Sequence, residues 1–354
     1  MKRNPFPMPK IPDIFRGMEK FRYATTIDLN MGYYSMPLSD EAKKLCVISL
    51  PWGLYRYNML PMGIRPATDI FQQRMSAIFF DMPVVVIYMD DTIIFGYADL
   101  ASHQVDVMEV LRRLQEAGFQ VNPDKCLWFQ PAVTYLGFLI TREGIKPQPD
   151  KIQGIINMQR PKTQRDVRRF VGMVNFYRDL YPKRAETLAP LTDLCGQKKK
   201  FIWDDQHEAA FLKMKNILAQ ETMLTYPEFD KPFVIYTDAS ELQIGGVITQ
   251  NDKPLGFFSK KLNDTQKRYP VTEQELLAIA ETLKYFKHML LGHKIIVRTD
   301  HKNLTYLNST HTSDRVLRQR LLLEEYGVDI EYIQGEKNVV ADALSRLPTA
   351  ELFV

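Results

Sequence analysis

Two runs of apolar, mostly β-branched residues flank a polar pair between Val84 and Phe95. Such runs favour buried strands, and their spacing predicts a hairpin with Asp90 and Asp91 at or beside the turn. Aspartate is common in tight turns, so a purely structural pair is one interpretation. Glycine and asparagine, the usual residues of a two-residue hairpin turn, are absent, however. Two adjacent carboxylates repel each other unless a cation lies between them, so the pattern also predicts a Mg²⁺ site.

A third carboxylate comes from the run 24–34, which has the pattern of a strand ending at Gly32. Asp28 lies within this run. Together with Asp90 and Asp91, it would hold two metal ions about 3.5–4 Å apart, the spacing used for phosphoryl transfer.

The periodicity predicts two helices, one on each side of this hairpin. The first would begin at Thr68 or Asp69 and bury apolar residues as far as Phe79. The second would begin at Ser102 and end at Gly118. Its predicted buried face repeats every three residues, at Val105, Met108, Leu111 and Leu114.

A helix predicted over 163–183 has two opposed faces, because residues two positions apart point in nearly opposite directions. Thr163 would cap its first turn, with Asp166 completing the cap. The apolar face comprises Val167, Phe170, Val171, Val174 and Tyr181. The other face comprises Arg165, Arg168, Arg169, Gly172 and Phe176. A basic face with a glycine and an aromatic residue favours contact with a nucleic-acid backbone over an ordinary solvated face.

A second group of acids lies in a new pattern of elements from residue 233 onward. Strands are predicted over 233–237, 245–248, 255–259 and 295–299, with residues 332–335 ending a last strand, and helices over 272–290 and 339–346. The acids are Asp238 and Asp300 at strand ends, Glu275 in the first turn of a helix, and Asp342 in the closing helix. Each acid alone is more simply a turn or helix-end residue. Together they predict a metal cluster.

Composition and charge narrow the class of protein. The chain has 354 residues, enough for two or three domains, with 45% hydrophobic and 25% charged residues. No run is long and apolar enough to cross a membrane, and the first residues lack the apolar core of a secretory signal. The three cysteines are isolated, which indicates a reducing compartment. Residues 160–184 carry eight basic and two acidic side chains, which indicates a polyanionic partner.

Seven stretches, in order, resemble the motifs of one family of enzymes. IDLNMGYY at 27–34, LPMGIRPA at 60–67 and YMDD at 88–91 resemble the palm motifs of reverse transcriptases, in the form found in Gypsy-like LTR retrotransposons. YTDAS at 236–240, TEQELLA at 272–278, TDHK at 299–302 and ADALSR at 341–346 resemble the ribonuclease H of the same Pol polyproteins. By its resemblance to the family motif, the stretch TEQELLA assigns Glu275, and not Glu273, to the acid cluster.

The resemblance implies a multidomain fold of α+β and α/β type. A right-hand polymerase palm and thumb, with truncated fingers, would precede a ribonuclease H-like domain built on a mixed sheet. The expected divisions are 1–144 for partial fingers and palm with a primer-grip hairpin, 145–186 for the thumb, 187–231 for a connection, 232–348 for the ribonuclease H-like domain and 349–354 for a tail. Only 27 residues precede Asp28. The basic finger residues that hold the triphosphate therefore have no counterpart, and weak primer extension is expected.

The resemblance also implies residue roles beyond the acids. Tyr33 would lie under the sugar of the incoming nucleotide and exclude a 2′-hydroxyl, while Met62 and Gly63 would line the nucleotide pocket. Gly137 would lie in the hairpin that holds the primer end. From the residues alone, Tyr33 is equally an ordinary strand tyrosine and Gly137 an ordinary hairpin glycine.

The function implied is RNA-directed DNA synthesis combined with cleavage of RNA in RNA–DNA hybrids. Each acid cluster would hold two Mg²⁺, with Mn²⁺ as a substitute, and the nuclease would use no histidine as general base. The partners would be an RNA template, a DNA primer, the RNA–DNA hybrid and dNTPs, without a membrane, in a dimer or a larger polyprotein. The expected location is the cytoplasm, in virus-like particles, with access to the nucleus. The alternative is a partly inactive or non-enzymatic transposon remnant that only binds nucleic acid.

Overall fold

The computed structural model describes residues 5–196, 200–220, 222–304 and 314–333. The chain forms two compact units. The first takes in Lys20–Glu143 and the chain up to Ile14, and the second takes in Phe15–Glu19 and the chain from Gly144 onward. Each unit has its own hydrophobic core.

Up to residue 143 the chain contains four helices and eight strands among its described residues. The helices are α1 (Ile11–Arg16), α2 (Asp40–Leu45), α3 (Ala67–Ile78) and α4 (Leu100–Glu116). The strands are β1 (Tyr23–Ile27), β2 (Val47–Leu50), β3 (Gly53–Arg56), β4 (Val85–Tyr88), β5 (Asp91–Gly96), β6 (Leu127–Gln130), β7 (Ala132–Tyr135) and β8 (Phe138–Thr141).

The strands β4, β5, β1 and β6 form an antiparallel sheet in that order. The predicted hairpin over 84–95 is confirmed as β4 and β5. The helix predicted up to Phe79 is confirmed as α3, whose Phe71 and Met75 are fully buried. Its predicted cap is wrong, because α3 begins after Pro66, whose ring presets a helical φ without a side-chain cap.

The buried face of α4 differs from the predicted one. The helix is confirmed, and it ends before Gly118, whose φ of +82° suits a glycine. Val105 and Met108, predicted to be buried, are 69% and 65% exposed. The buried residues are instead His103, Val107, Val110 and Leu114. These follow the spacing of four, three and four that a helical stripe requires, whereas a strict repeat of three drifts around the helix.

From Gly144 onward the described residues form eight helices and six strands. The helices are α5 (Pro149–Ile156), α6 (Gln164–Phe176), α7 (Arg184–Thr187), α8 (Ala189–Leu194), α9 (Asp205–Ala219), α10 (Val271–Tyr285) and α11 (Lys287–Leu290), followed by α12 (Asp314–Glu325). The strands are β9 (Ile145–Pro147), β10 (Phe233–Ala239), β11 (Gln243–Gln250), β12 (Lys253–Lys261), β13 (Ile295–Thr299) and β14 (Val328–Tyr332).

Five of these strands form a mixed sheet in the order β12, β11, β10, β13 and β14. β10 and β13 are parallel, as are β13 and β14, whereas the first three strands form antiparallel pairs. The strands predicted over 233–237, 245–248, 255–259 and 295–299 are confirmed within β10, β11, β12 and β13. The end predicted for the last strand overlaps β14 only at Tyr332, and residues 334–335 and the helix predicted over 339–346 lie outside the described residues. The predicted helix over 272–290 is two helices, α10 and α11, and α10 packs against β10 and β11.

The helix predicted over 163–183 is confirmed in its first part as α6. Thr163 and Asp166 form the predicted capping box. Val167, Phe170, Val171 and Val174 are buried, as predicted. The helix ends at Phe176, and Tyr181 is fully buried beyond it, after a short 3₁₀ turn. No helix in the described parts of the chain is both long enough and apolar enough to span a membrane.

Candidate catalytic sites and a candidate nucleic-acid interface

The turn between β4 and β5 consists of Met89 and Asp90, because Tyr88 pairs directly with Asp91. Met89 has a φ of +53°, in the left-handed region that glycine and asparagine usually occupy in such turns. A side chain of this size adopts that conformation only where its surroundings hold the backbone in place. The turn therefore needs support from a neighbouring element.

Gln72 on α3 supplies this support. Its side chain is 2% exposed, its Oε1 accepts a hydrogen bond from the Met89 backbone N–H at 2.7 Å, and its Nε2 donates to the Ile87 carbonyl at 3.2 Å. One buried amide thus satisfies backbone groups on both sides of Tyr88. The role of Gln72 was not predicted from the sequence. The available signal was a polar residue on the apolar stripe of α3, directly after Phe71.

Replacing Gln72 by Leu should slow DNA synthesis by about 10- to 100-fold, because a small displacement of catalytic groups costs rates of this order. Single-turnover primer extension measures the effect. Gln73→Leu is the matched control, since Gln73 follows on the same helix and is exposed. Equal rates for the two variants would show that the turn holds its shape without Gln72.

Three carboxylates meet around this turn. Asp28 follows β1, whose last residue, Ile27, pairs with Thr92 next to Asp91. Burial raises the pKa of Asp90, and the charges of Asp91 and Asp28 raise it further. Burial and the charge of Asp28 likewise raise the pKa of Asp91. The structure therefore brings the predicted acids Asp28, Asp90 and Asp91 within electrostatic reach of one another. Their oxygens do not all lie within 4.8 Å, as expected for carboxylates that repel.

Tyr33 lies close to the same acids, although the predicted continuous strand up to Gly32 is wrong. β1 ends at Ile27, Met31 takes a φ of +52°, and Tyr33 falls in a 3₁₀ turn over Gly32–Ser35. Its ring is 7% exposed and stacks on Phe71 with centroids 4.5 Å apart. Burial raises the pKa of Tyr33, as does the charge of Asp90. The change of direction after the strand is what brings this ring towards Asp90.

The other predicted nucleotide and primer residues lie in turns. Met62 is 59% exposed, and Gly63 has a φ of +85° with open space around its Cα. Gly137, with a φ of +81°, forms with Leu136 the two-residue turn between β7 and β8. The four residues from Tyr135 to Phe138 thus form the turn of this hairpin. The Tyr135 hydroxyl donates to the Asp91 carbonyl at 3.2 Å, which ties this hairpin to the acidic turn.

A second acid cluster lies at one edge of the mixed sheet. Asp238 is near the end of β10, and Asp300 directly follows β13. Because β10 and β13 are parallel neighbours, their carboxyl ends lie at the same edge. Glu275 on α10 is 5% exposed and lies beyond the first turn of that helix, which begins at Val271. The structure therefore brings together three of the four predicted acids, and Asp342 lies outside the described residues.

The environment of Glu275 suits a cation ligand. Its Oε1 accepts a hydrogen bond from the Ala239 backbone N–H at 3.3 Å, whereas its buried Oε2 has no partner among the described residues. Burial, together with the charges of Asp238 and Asp300, raises the pKa of Glu275 to about 8. A buried carboxylate oxygen left without a partner is costly, and a bound cation would offset that cost. Glu273, in contrast, forms an ion pair with Arg315 at 2.5 Å.

The structure also places His301 in this cluster, and this residue was not predicted from the sequence. One ligand atom each from Glu275, Asp300 and His301 lie within 4.8 Å of one another. Asp238 is not in this tighter group, although its charge reaches Glu275. The signal was present in the TDHK motif, in which the histidine follows the strand-end aspartate directly.

The predicted nucleic-acid face of α6 is solvent-exposed. Arg165, Arg169 and Gly172 are exposed, and Phe176 is 45% exposed. Arg168 is exposed as well, but its Nε and Nη2 both donate to the Cys195 carbonyl, at 3.1 and 2.8 Å. This arginine therefore also stabilises the end of α8.

Comparison with protein families gives two matches within the chain. Residues 2–140 match the family model for reverse transcriptase (RNA-dependent DNA polymerase). Residues 228–326 match the model for the RNase H-like domain found in reverse transcriptase. The first range contains Asp28, Asp90 and Asp91, and the second contains Asp238, Glu275 and Asp300.

Curated relatives match almost the whole chain. The retrovirus-related Pol polyprotein from transposon 297 of Drosophila melanogaster is 35% identical over 98% of this chain, and that from transposon gypsy is 32% identical over 96%. The chain corresponds to 33% and 34% of those relatives, so it spans about a third of their length.

Solved structures share the fold. A foamy viral protease-reverse transcriptase in complex with an RNA/DNA hybrid superposes with a TM-score of 0.80, at 21% identity, over 93% of this chain and 46% of that one. The same enzyme with dsDNA gives a TM-score of 0.81 over 95% of this chain and 71% of that one. The predicted fold class is thereby confirmed. The chain thus contains a reverse transcriptase domain followed by a ribonuclease H-like domain, and it is similar to about a third of the retrovirus-related Pol polyproteins of gypsy-type retrotransposons.

Proposed function

We propose that this chain copies an RNA template into DNA from a DNA primer and cleaves the RNA of the resulting hybrid. The observation that carries the proposal is the presence of two separate acid clusters, one around the turn at Asp90 and one around Glu275. Each cluster belongs to a domain whose family performs one of these reactions. The foamy viral relative with bound RNA/DNA hybrid supports the choice of nucleic acid.

In the polymerase site, Asp28, Asp90 and Asp91 are the proposed ligands of two Mg²⁺. The metals would activate the primer 3′-hydroxyl and neutralise charge on the leaving pyrophosphate of a dNTP. Two neighbouring side chains position these ligands. Gln72 accepts a hydrogen bond from the Met89 backbone N–H in the turn, and the Tyr135 hydroxyl donates to the Asp91 carbonyl. The pKa values of Asp90 and Asp91 are raised by burial and by neighbouring carboxylates, and a bound cation would neutralise this negative charge.

In the nuclease site, Asp238, Glu275 and Asp300 are the proposed ligands, with Asp342 as the fourth. Two Mg²⁺ there would activate a water and stabilise the leaving 3′-oxygen. The buried Oε2 of Glu275 gives the site one fixed ligand atom. The enzyme would recognise the hybrid by its geometry and its 2′-hydroxyls, because those features distinguish RNA from DNA.

Tyr33, Met62 and Gly63 are the proposed nucleotide-binding residues. Replacing Tyr33 by Ala should increase incorporation of ribonucleotides relative to dNTPs, because a rigid ring in this place excludes the 2′-hydroxyl by clash. The ratio of dNTP to rNTP incorporation measures the change. Tyr34→Ala is the control, since Tyr34 is 36% exposed in the same turn. The same ratio in both variants would leave Tyr33 as a core residue only.

The exposed face of α6 is one proposed contact for template and primer, and Gly137 in the β7–β8 hairpin of the other unit is proposed separately as a primer contact. Replacing Arg165 and Arg169 by Gln should weaken duplex binding and reduce the slope of log K against log salt by about two, since each lost phosphate contact removes about 0.9. Affinities measured over a salt series give the slope. An unchanged slope would contradict the proposed interface.

We also propose domain divisions, an oligomeric state and a cellular location for this chain. The divisions at 144, 186, 231 and 348 remain predictions, to be tested by limited proteolysis. We propose that the chain acts as a dimer or as part of a larger polyprotein, and the second form is proposed because the relatives are polyproteins. Sedimentation of the expressed protein would measure its oligomeric state. Location in cytoplasmic virus-like particles with nuclear access would be tested by cell fractionation.

One preparation assayed for both primer extension and RNA cleavage tests the proposed function as a whole. We expect both activities in the presence of Mg²⁺. Binding of nucleic acid without either activity would favour the alternative of a transposon remnant.

A further inference from the structure

A cleft of about 380 Å³ lies in the second unit, and four of the nine residues that line it are cationic. Arg178 comes from the 3₁₀ turn after α6, and Arg184 is the first residue of α7. Lys260 comes from β12 and Lys284 from α10, which also contributes the one carboxylate, Glu281. None of these residues belongs to either acid cluster, and the volume is within the range typical of ligand sites, about 300–1,000 Å³.

The charges in this cleft do not balance. Glu281 forms ion pairs with both lysines, with its oxygens 2.5 Å from the Lys260 Nζ and 3.5 Å from the Lys284 Nζ. Asp179, next to Arg178 in the chain, already accepts hydrogen bonds from Arg16 at 2.8 Å and from the Tyr285 hydroxyl. Asp179 also lies 3.7 Å from the Arg178 Nε, so two carboxylates together pair with Arg16 and with three of the four cleft cations. Arg184 has no ion pair among the described residues.

Arg184 is the least compensated of these cations. Its guanidinium donates to the Asn175 side-chain oxygen and, at 3.5 Å, to the Ser259 carbonyl, both neutral acceptors. Its buried Nε has no partner among the described residues. Burial lowers the pKa of Arg184 and the charge of Arg178 lowers it further, while Tyr285 and the charge of Asp179 oppose this lowering without cancelling it. A buried guanidinium with an unused donor is costly unless an anion supplies the missing acceptor.

We propose that this cleft binds a phosphate group, with Arg184 and Arg178 as its hydrogen-bond donors and Lys260 and Lys284 as flanking charges. The guanidinium fork matches the geometry of phosphate oxygens, and two arginines beside one cleft favour a tetrahedral dianion over a single carboxylate. The phosphate belongs either to a nucleic-acid backbone or to a free phosphate compound. The site does not depend on the activity of either acid cluster.

Thermal unfolding of the whole chain in inorganic phosphate, against chloride at equal ionic strength, tests the proposal. A ligand that binds only the folded state raises the melting temperature with its concentration. We expect saturable stabilisation by phosphate in the wild type and in the control Lys253→Gln, whose lysine is exposed at the start of β12. Arg178→Gln and Arg184→Met should each weaken apparent phosphate affinity by about tenfold, as expected for the loss of a charged hydrogen bond.

Two results would overturn the proposal. One is equal stabilisation by phosphate and chloride in the wild type. The other is a phosphate effect that is the same in the control and in both arginine variants. Arg178 is about half-exposed, so its variant keeps the test valid even if Arg184→Met fails to fold.

A second arm identifies the source of the phosphate. Binding of an RNA–DNA hybrid is measured with Asp300→Asn, with and without Arg178→Gln, so that cleavage does not interfere. Weaker hybrid binding with Arg178→Gln, together with competition by inorganic phosphate, assigns the cleft to a nucleic-acid backbone. Unchanged hybrid binding assigns it to a free phosphate compound.

Discussion

Asp90→Asn should abolish DNA synthesis by this chain while leaving its fold and its binding of template-primer intact. Asp90 sits in the turn itself, and its pKa is raised by burial and by the charges of Asp91 and Asp28. The amide is nearly the same size as the carboxylate, but it lacks the charge that binds a metal. Loss of metal-based stabilisation of several kcal/mol corresponds to about a thousandfold or more in rate. Single-turnover primer extension measures it.

Asp124→Asn is the matched control for this variant, because Asp124 is exposed in the same unit, in the 3₁₀ turn over Pro123–Lys125. The control should synthesise DNA at the wild-type rate. Normal synthesis by Asp90→Asn would show that the turn between β4 and β5 is not the metal site.

Glu275→Gln should abolish cleavage of the RNA strand and, at the same time, stabilise the metal-free protein. The negative charge of Glu275 is opposed by burial and by Asp238 and Asp300. Because the raised pKa of about 8 costs stability above the ordinary value of 4.5, the amide should relieve about 1–3 kcal/mol near pH 8, and the difference should vanish below pH 4.5. For a unit of this size that raises the melting temperature by at least about 2 °C. Mg²⁺ should stabilise the wild type, because it binds the folded state, and should stabilise the variant far less.

Glu273→Gln is the control for this pair of readouts. It lies on the same helix but loses only a surface ion pair with Arg315, which is worth about 0–1 kcal/mol. It should keep both cleavage and stabilisation by Mg²⁺. A Glu275→Gln variant that is less stable than the wild type without metal, and equally stabilised by Mg²⁺, would show that Glu275 is a structural residue.

The acids could be predicted from the sequence because each stands beside a run of residues with a recognisable strand pattern. Asp90 and Asp91 stand between two apolar runs, and Asp238 and Asp300 follow runs with the pattern of strands. Long-range pairing then brings them together, since β10 and β13 run parallel. The chemistry at both sites thus follows from residue type and strand order.

The supporting residues could not be predicted in the same way. Gln72 interacts with a turn that begins 17 positions further along the chain, so its role is defined only by the packing of α3 on β4. The buried face of α4 was misassigned because Val105 and Met108 fit a repeat of three, whereas the packed stripe begins at His103. The histidine is polar, and its burial depends on a hydrogen bond to Thr25 at 2.9 Å.

Two independent metal sites are proposed to catalyse two reactions in this chain. To test this, primer extension and RNA cleavage are measured in one preparation each of wild type, Asp90→Asn and Asp300→Asn, with Mg²⁺. We expect Asp90→Asn to retain cleavage and lose synthesis, and Asp300→Asn to lose cleavage and retain whatever synthesis the wild type shows. Loss of both activities in either variant, or of neither, would contradict it.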